Sequence, residues 1–174
     1  MMDSLILSLS ALKDRIRRNP IFEIQRELGY TMTCSFLFYN PATEQLLSEF
    51  CNDTGFNLSH GFRKFLMIHD GAILFKDQSN RAEPPWLIFG LDQIVDHLND
   101  FPAPEHMYPI AKYDQTIIYV NDLLLKEGKD NYLYDRTIYD PSDHEGTAIG
   151  LNFELWFERL IVSQGAHFWF WNTK

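Results

Sequence analysis

Six histidines, two cysteines and the acidic turn "DPSDHEG" (residues 140–146) are the places where residue type could support catalysis or metal binding. A hydrolase would need a histidine and carboxylates converging on one substrate atom, and a metal site would need ligands at a fixed spacing. His60 and His69 flank one helical segment, but at about 100° per residue they stand on roughly opposite sides of it. His69, at the end of that segment, gains from the helix dipole. His97 and His106 straddle a loop, and His167 enters an aromatic stretch that suits a core histidine. His144 lies between Asp143 and Glu145, a candidate acid–base group except that adjacent side chains point in different directions. The run from Asp140 to Leu151 imitates a calcium loop only superficially. Its sixth position is Glu145, where the turn needs glycine, and its twelfth is Leu151, where a bidentate glutamate belongs. Cys34 and Cys51 match no metal or redox spacing and read as small buried hydrophobes in a reducing cytosol. The sequence contains no phosphate-cradling glycine loop, GxSxG elbow or HExxH motif. The expectation is a protein with no catalytic residues, no metal and no cofactor.

The elements that would position these side chains follow from periodicity. Leu5, Leu9, Leu12 and Ile16 form one helical stripe over residues 4–18, with Arg15, Arg17 and Arg18 at the negative pole of the helix dipole. Asn19-Pro20 ends it, and a second short helical piece is expected over residues 22–28. "YTMTCSFLFY" (30–39) reads as a strand. "NPATEQLLSEFCNDTG" reads as a helix capped by Asn40 or Thr43, with Leu46, Leu47, Phe50 and Cys51 inward and Gly55 terminating it. Ser59 caps the next helix, whose Phe62, Phe65 and Leu66 pack inward before Gly71 reverses the chain. Strands follow at "AILF" and "WLIFG", and a helix at "LDQIVDHLND". "IAKYDQTIIYV" is a hairpin turning near Asp114-Gln115, and "NYLYDRTIY" is another strand. Asn152 caps a last helix that puts Phe153, Trp156, Phe157, Leu160 and Ile161 on one face. "HFWFW" (167–171), apolar on both faces, is expected as a strand that is central in a sheet or part of an interface. The order indicates a single α+β domain over residues 1–174: a mostly antiparallel or mixed sheet, with helices packed on it at the N-terminus and in the C-terminal part.

The totals agree with one packed domain. A chain of 174 residues with 45% apolar and 22% charged residues buries enough surface to need no disulfide or metal. The net charge of −9 is concentrated: residues 91–146 hold twelve Asp/Glu against four Lys/Arg. That balance disfavours direct nucleic-acid binding and favours a basic protein partner. The N-terminal "MMDSLILSLSAL" has Asp3 in place of a basic leader region, and no run approaches the ~20 apolar residues of a membrane span. A soluble, cytoplasmic protein is expected.

The stretch "NPATEQLLSEFCNDTGFNLSHGFRKFLMIHDGAILF" resembles the start of the SUKH superfamily, the Smi/Knr-type domains. In that family a proline-led acidic helix precedes a short "L-P-x-x-Y/F-x-x-F-L" helix and an "N-G-G" or "N-G-A" turn. Here the second motif reads Leu58-Ser59-His60-Gly61-Phe62 and Phe65-Leu66, and the turn reads Asp70-Gly71-Ala72. "WLIFGLDQIVDHL", the strand opening "YPIAKY" and "AIGLNFELWFERLI" extend the likeness over about residues 40–165. Ser59 replaces the usual proline and Asp70 the usual asparagine. The resemblance implies a SUKH-like core over residues 40–171, preceded by an N-terminal helix and first strand over 1–39.

The resemblance also implies binding rather than catalysis. Bacterial members look like immunity proteins that neutralise a cognate polymorphic toxin, often nuclease-type, by occluding it, and fungal relatives regulate cell-wall synthesis. A nuclease toxin presents a basic cleft that an acidic surface could occupy. Charge clustering nominates Asp114, Asp122, Asp135, Asp140, Asp143 and Glu145 as that surface, with Tyr139 as its aromatic anchor. Two other classes stay open: a regulatory module binding a cell-wall or signalling protein, and a small hydrolase using His144. The oligomeric state is open too, with "HFWFW" allowing self-association.

Overall fold

In the computed structural model, which describes residues 3–138 and 146–171, the leucine stripe folds as α1 (Ser4–Arg18) with Leu5, Leu9 and Leu12 buried. The Asp3 carboxylate caps it, accepting from the Leu5 amide at 3.0 Å and pairing with Lys64. At its far end the Arg15 guanidinium lies 3.8 Å from the centre of the Phe22 ring.

Phe22 opens a strand, β1 (Phe22–Gln25), and not the expected helical piece. Phe22 and Ile24 are buried while Glu23 and Gln25 are exposed, a period of two. The strand pairs with β2 (Thr31–Phe38), so Phe22 faces Cys34 and Ile24 faces Met32. A single 3-10 turn, Glu27–Gly29, links them and holds Leu28 at φ 68°. Then come α2 (Glu44–Thr54), α3 (His60–Ile68), β3 (Ala72–Asp77), β4 (Trp86–Ile88), α4 (Leu91–Asp100), β5 (Met107–Tyr113) and β6 (Thr116–Asn121). The short α5 (Asp122–Lys126), β7 (Leu133–Thr137), β8 (Thr147–Ala148) and α6 (Phe153–Val162) complete the regular elements. Neither α5 nor β8 was expected, and both are short.

The eight strands form one sheet in sequence order, each antiparallel to its neighbour. This is a single α+β domain built on a meander. The β5–β6 register shifts between Pro109 and Ala111, beside a residue with no amide hydrogen for the ladder. On β6 the alternation divides two cores. Ile118 and Val120 join the large one, while Ile117 and Tyr119 join Met107 in a small cluster on the other face.

The large core lies between the sheet and α1, α3 and α6, with α6 packed against both other helices. Phe65 of α3 meets the rings of Phe153 and Phe157 of α6 at 5.7 and 5.4 Å. Each such fully buried ring contributes about 1.5–3 kcal/mol from the area it removes from water.

"HFWFW" is not a strand. A 3-10 turn at Phe168–Phe170 folds Trp169 back, so that its ring lies 6.0 Å from Trp86 and its indole N–H donates to Asp135 at 2.7 Å. His167 packs against Trp86 and Tyr113. His167 and Trp169 share one packed aromatic cluster with Trp86.

Candidate functional site

The neighbourhood of α2 and α4 is set by two glycines and an aspartate. Gly71, at φ 101°, turns the chain from α3 into β3, and a Cβ there would lie 2.9 Å from the Gly90 nitrogen. A Cβ on Gly90 would in turn lie 2.4 Å from the Asp70 carbonyl oxygen. The two backbones therefore touch where only glycine fits. Gly90 precedes α4 with no side chain to cap it, and the Asp70 carboxylate does so from the other turn, its Oδ1 accepting from the Leu91 amide at 2.9 Å. Gln93 Oε1 accepts from the Gly90 amide at 2.9 Å. The strap from Tyr39 to Ala42 is tied to the same turn, with the Asp70 amide donating to the Asn40 carbonyl and the Ala42 amide to the Leu66 carbonyl. Thr43 then caps α2, its Oγ1 accepting from the Leu46 amide at 3.2 Å. Gly55, left-handed at φ 74°, ends that helix.

This framework leaves a groove of about 620 Å³ between α2 and α4, within the roughly 300–1,000 Å³ typical of ligand sites. Leu46, Glu49, Phe50 and Asp53 form one wall at helical spacing, and Asp92, Val95 and Asn99 form the other. Phe50 and Leu91 are buried at its base, whereas Leu46 is 47% and Val95 38% exposed. The inward placement expected for Leu46 is corrected here: Leu47 and Phe50 are the buried residues of α2, and Cys51, partly buried, packs against the core with them. Four carboxylates line the groove, from Glu49, Asp53, Asp70 and Asp92, and among the described residues no Lys, Arg or His does. Among the described residues no hydrogen bond or ion pair engages Asp53 or Asp92, and Glu49 accepts only from Gln45, at 2.7 Å. Burial pushes the Asp70 carboxyl above the ordinary carboxylate range, and the charge of Asp92 adds to that push. Asp92 itself sits in the first turn of α4, where the dipole favours a negative charge.

The carboxylates nominated from sequence are distributed differently. Asp114 is exposed at the β5–β6 turn, at φ 51°. Asp122 is 1% exposed and satisfied inside the protein: Oδ1 accepts from the Asn57 amide at 2.9 Å and Oδ2 pairs with Lys126 at 2.5 Å. Asp135 is 5% exposed and accepts from Trp169. Both were expected at a partner surface, and both are buried because the fold supplies them with N–H donors. Tyr139, Asp140, Asp143 and Glu145, with His144, lie outside the described residues.

The described histidines do not converge. His97 is buried between Phe89 and Phe101, with Nε2 3.3 Å from the Tyr119 hydroxyl, and burial lowers its pKa. His69 closes α3, and its Nδ1 donates to the Tyr39 carbonyl at 2.8 Å. His60 and His106 are exposed. Cys34 is buried beneath the sheet, its thiol pushed up to about 11 by desolvation. Among the described residues no group of three or more His, Cys, Asp or Glu side chains is placed to hold a metal ion. Among them, too, no helix is long and apolar enough to cross a membrane.

Sequence reasoning found α2 and α4 but not the groove between them. The signal in the sequence was a pair of helices that each place acids near an apolar residue, Glu49 and Asp53 near Leu46 on one and Asp92 near Val95 on the other.

Two relatives come from Bacillus subtilis (strain 168). The chain is 29% identical over 140 residues to the uncharacterized protein YnaB, covering 78% of this chain and 87% of the relative. It is 28% identical over 119 residues to the uncharacterized protein YobM, covering 66% of this chain and 62% of that one. The model of the SMI1 / KNR4 family (SUKH-1) matches residues 41–159, from the strap before α2 into α6. With that match over most of its length, the chain belongs to the SMI1 / KNR4 (SUKH-1) family.

Proposed function

We propose that this protein is an immunity protein: it binds a cognate bacterial toxin through an acidic surface and neutralises it by occlusion, without catalysing a reaction. The observation that carries this reading is the α2–α4 groove, in which four carboxylates and two exposed apolar side chains stand together with no lining cation among the described residues. Membership of the SMI1 / KNR4 family supports a binding role. A toxin that acts on nucleic acid needs a basic cleft, and an acidic surface both speeds encounter with it and competes with its substrate. The toxin acts in the cytoplasm on this reading, and the protein meets it there. Asp114, together with Tyr139, Asp140, Asp143 and Glu145 outside the described residues, is the second set of contacts in this proposal, and the same experiment weighs it.

The experiment is co-expression with a candidate toxin domain sought among the genes that neighbour this one. Growth is expected to be restored and the two proteins to be captured together. Replacing Asp140, Asp143 and Glu145 with Ala together should weaken capture if that turn takes part, and unchanged affinity removes it from the interface. Absence of both rescue and complex would discard the immunity role in favour of a regulatory module.

A further inference from the structure

We propose that the α2–α4 groove receives one segment of the partner protein that carries an apolar side chain flanked by Lys or Arg residues. This rests on the binding role proposed above and specifies what the groove selects. Charge fixes the sign of the occupant. Glu49, Asp53, Asp70 and Asp92 repel a phosphate or an acidic peptide and attract a cation, and among the described residues no lining cation offsets them. The Asp70 carboxylate is held in place by the bond from Leu91 to its Oδ1, which leaves Oδ2 without a donor among the described residues. A second oxygen fixed in position by the first is pre-organised for an incoming ammonium or guanidinium.

The apolar part fixes a second requirement. Leu46 and Val95 stay in contact with water above a base of Phe50 and Leu91. An oligocation would satisfy the acids and leave that apolar surface wet, whereas a Leu, Ile or Phe between two cations covers it. Size fixes the third. The lining residues run two helical turns along each wall, about 10 Å, which admits about three residues of extended chain and not a folded domain. The remaining contacts of a toxin would fall on the rims.

The test is fluorescence anisotropy with a labelled Lys–Leu peptide of about two helical turns. A Glu–Leu peptide, oligolysine and spermidine serve as competitors, on the full chain and on two variants, Asp53→Asn with Asp92→Asn and Val95→Ser. The Lys–Leu peptide should bind, should weaken about tenfold in the acid variant and several-fold in Val95→Ser, and should be displaced poorly by oligolysine or spermidine. Equal competition by either cation overturns the proposal, because the apolar side chains would then play no part. Undiminished binding to the acid variant overturns it as well. Growth rescue that survives in an acid variant unable to bind the peptide would place the toxin interface elsewhere, overturning this inference and leaving the immunity role intact. Peptide binding by a chain that rescues no growth would uphold the groove and remove the toxin.

Discussion

Asp122 and Asp53 carry the same charge and differ in what surrounds them. Asp122 is buried at the start of α5 with an amide and an ammonium on its two oxygens, and it ties α5 to the residues just before α3. Asp53 is exposed on α2 without a partner among the described residues. Asp135 belongs with the first, through Trp169, and Asp92 with the second. Carboxylates with internal donors hold the fold together. Those without donors set the surface potential and are available to a partner. Counting charge along a chain cannot separate the two groups, whereas the donors around each oxygen do.

Substitutions can break or sharpen that division. Asp122→Ala should have the largest effect on stability: it strips a part-buried amide and a half-buried ammonium of a buried acceptor and should cost about 2–3 kcal/mol in urea unfolding. Asp135→Ala orphans the Trp169 indole and should cost about 1–2 kcal/mol by the same measurement. A loss under about 0.5 kcal/mol at both positions would break the division.

Asp70 spans the two groups, since one oxygen caps α4 and the residue lines the groove. Asp70→Asn keeps an oxygen for the Leu91 amide and removes a partly buried charge. It should stabilise the protein by about 0.5–1 kcal/mol while weakening a basic partner. The pH dependence has a definite sign. Burial raises the folded-state pKa above the unfolded value, so the folded state holds the proton more tightly. Stability therefore falls as pH rises from the unfolded value through the folded one, and the penalty is complete above both. The advantage of Asp70→Asn in thermal melts should be present at neutral pH and vanish below the ordinary carboxylate value. An advantage that persists there would point to packing rather than charge.

The smallest expected change in stability belongs to Asp53→Asn combined with Asp92→Asn. Asp53 sits unfavourably in the last turn of α2 and Asp92 favourably in the first turn of α4. The two dipole effects oppose each other, and unfolding free energy should move by less than about 0.5 kcal/mol. A larger loss would assign these carboxylates to the fold.

Much of the architecture was legible because long apolar stripes have one solution. The stripes of α1 and α6 fold as periodicity requires, that of α2 does so except at Leu46, and Thr43, Asn152 and Gly55 cap or end helices as their types suggest. Short segments were not legible. Residues 22–28 hold too few apolar positions for the helical and strand periods to differ, and pairing with β2 decides. Aromatic density in "HFWFW" suggested a strand, but the hydrogen bond to Asp135 and the rings of Trp86 and Tyr113 fold it into a turn. The groove is a property of two helices brought side by side by Gly71, Gly90 and Asp70. Each motif was visible alone, and the contact between them was not.

The most direct measurement is calorimetric titration of a candidate toxin domain, sought among the genes that neighbour this one, against wild type and the Asp53→Asn, Asp92→Asn variant, at low and at raised salt. Tight binding by wild type that weakens with salt is expected, and weaker binding by the variant with a clearly smaller salt dependence. Equal affinities and equal salt dependence in the two proteins would contradict it.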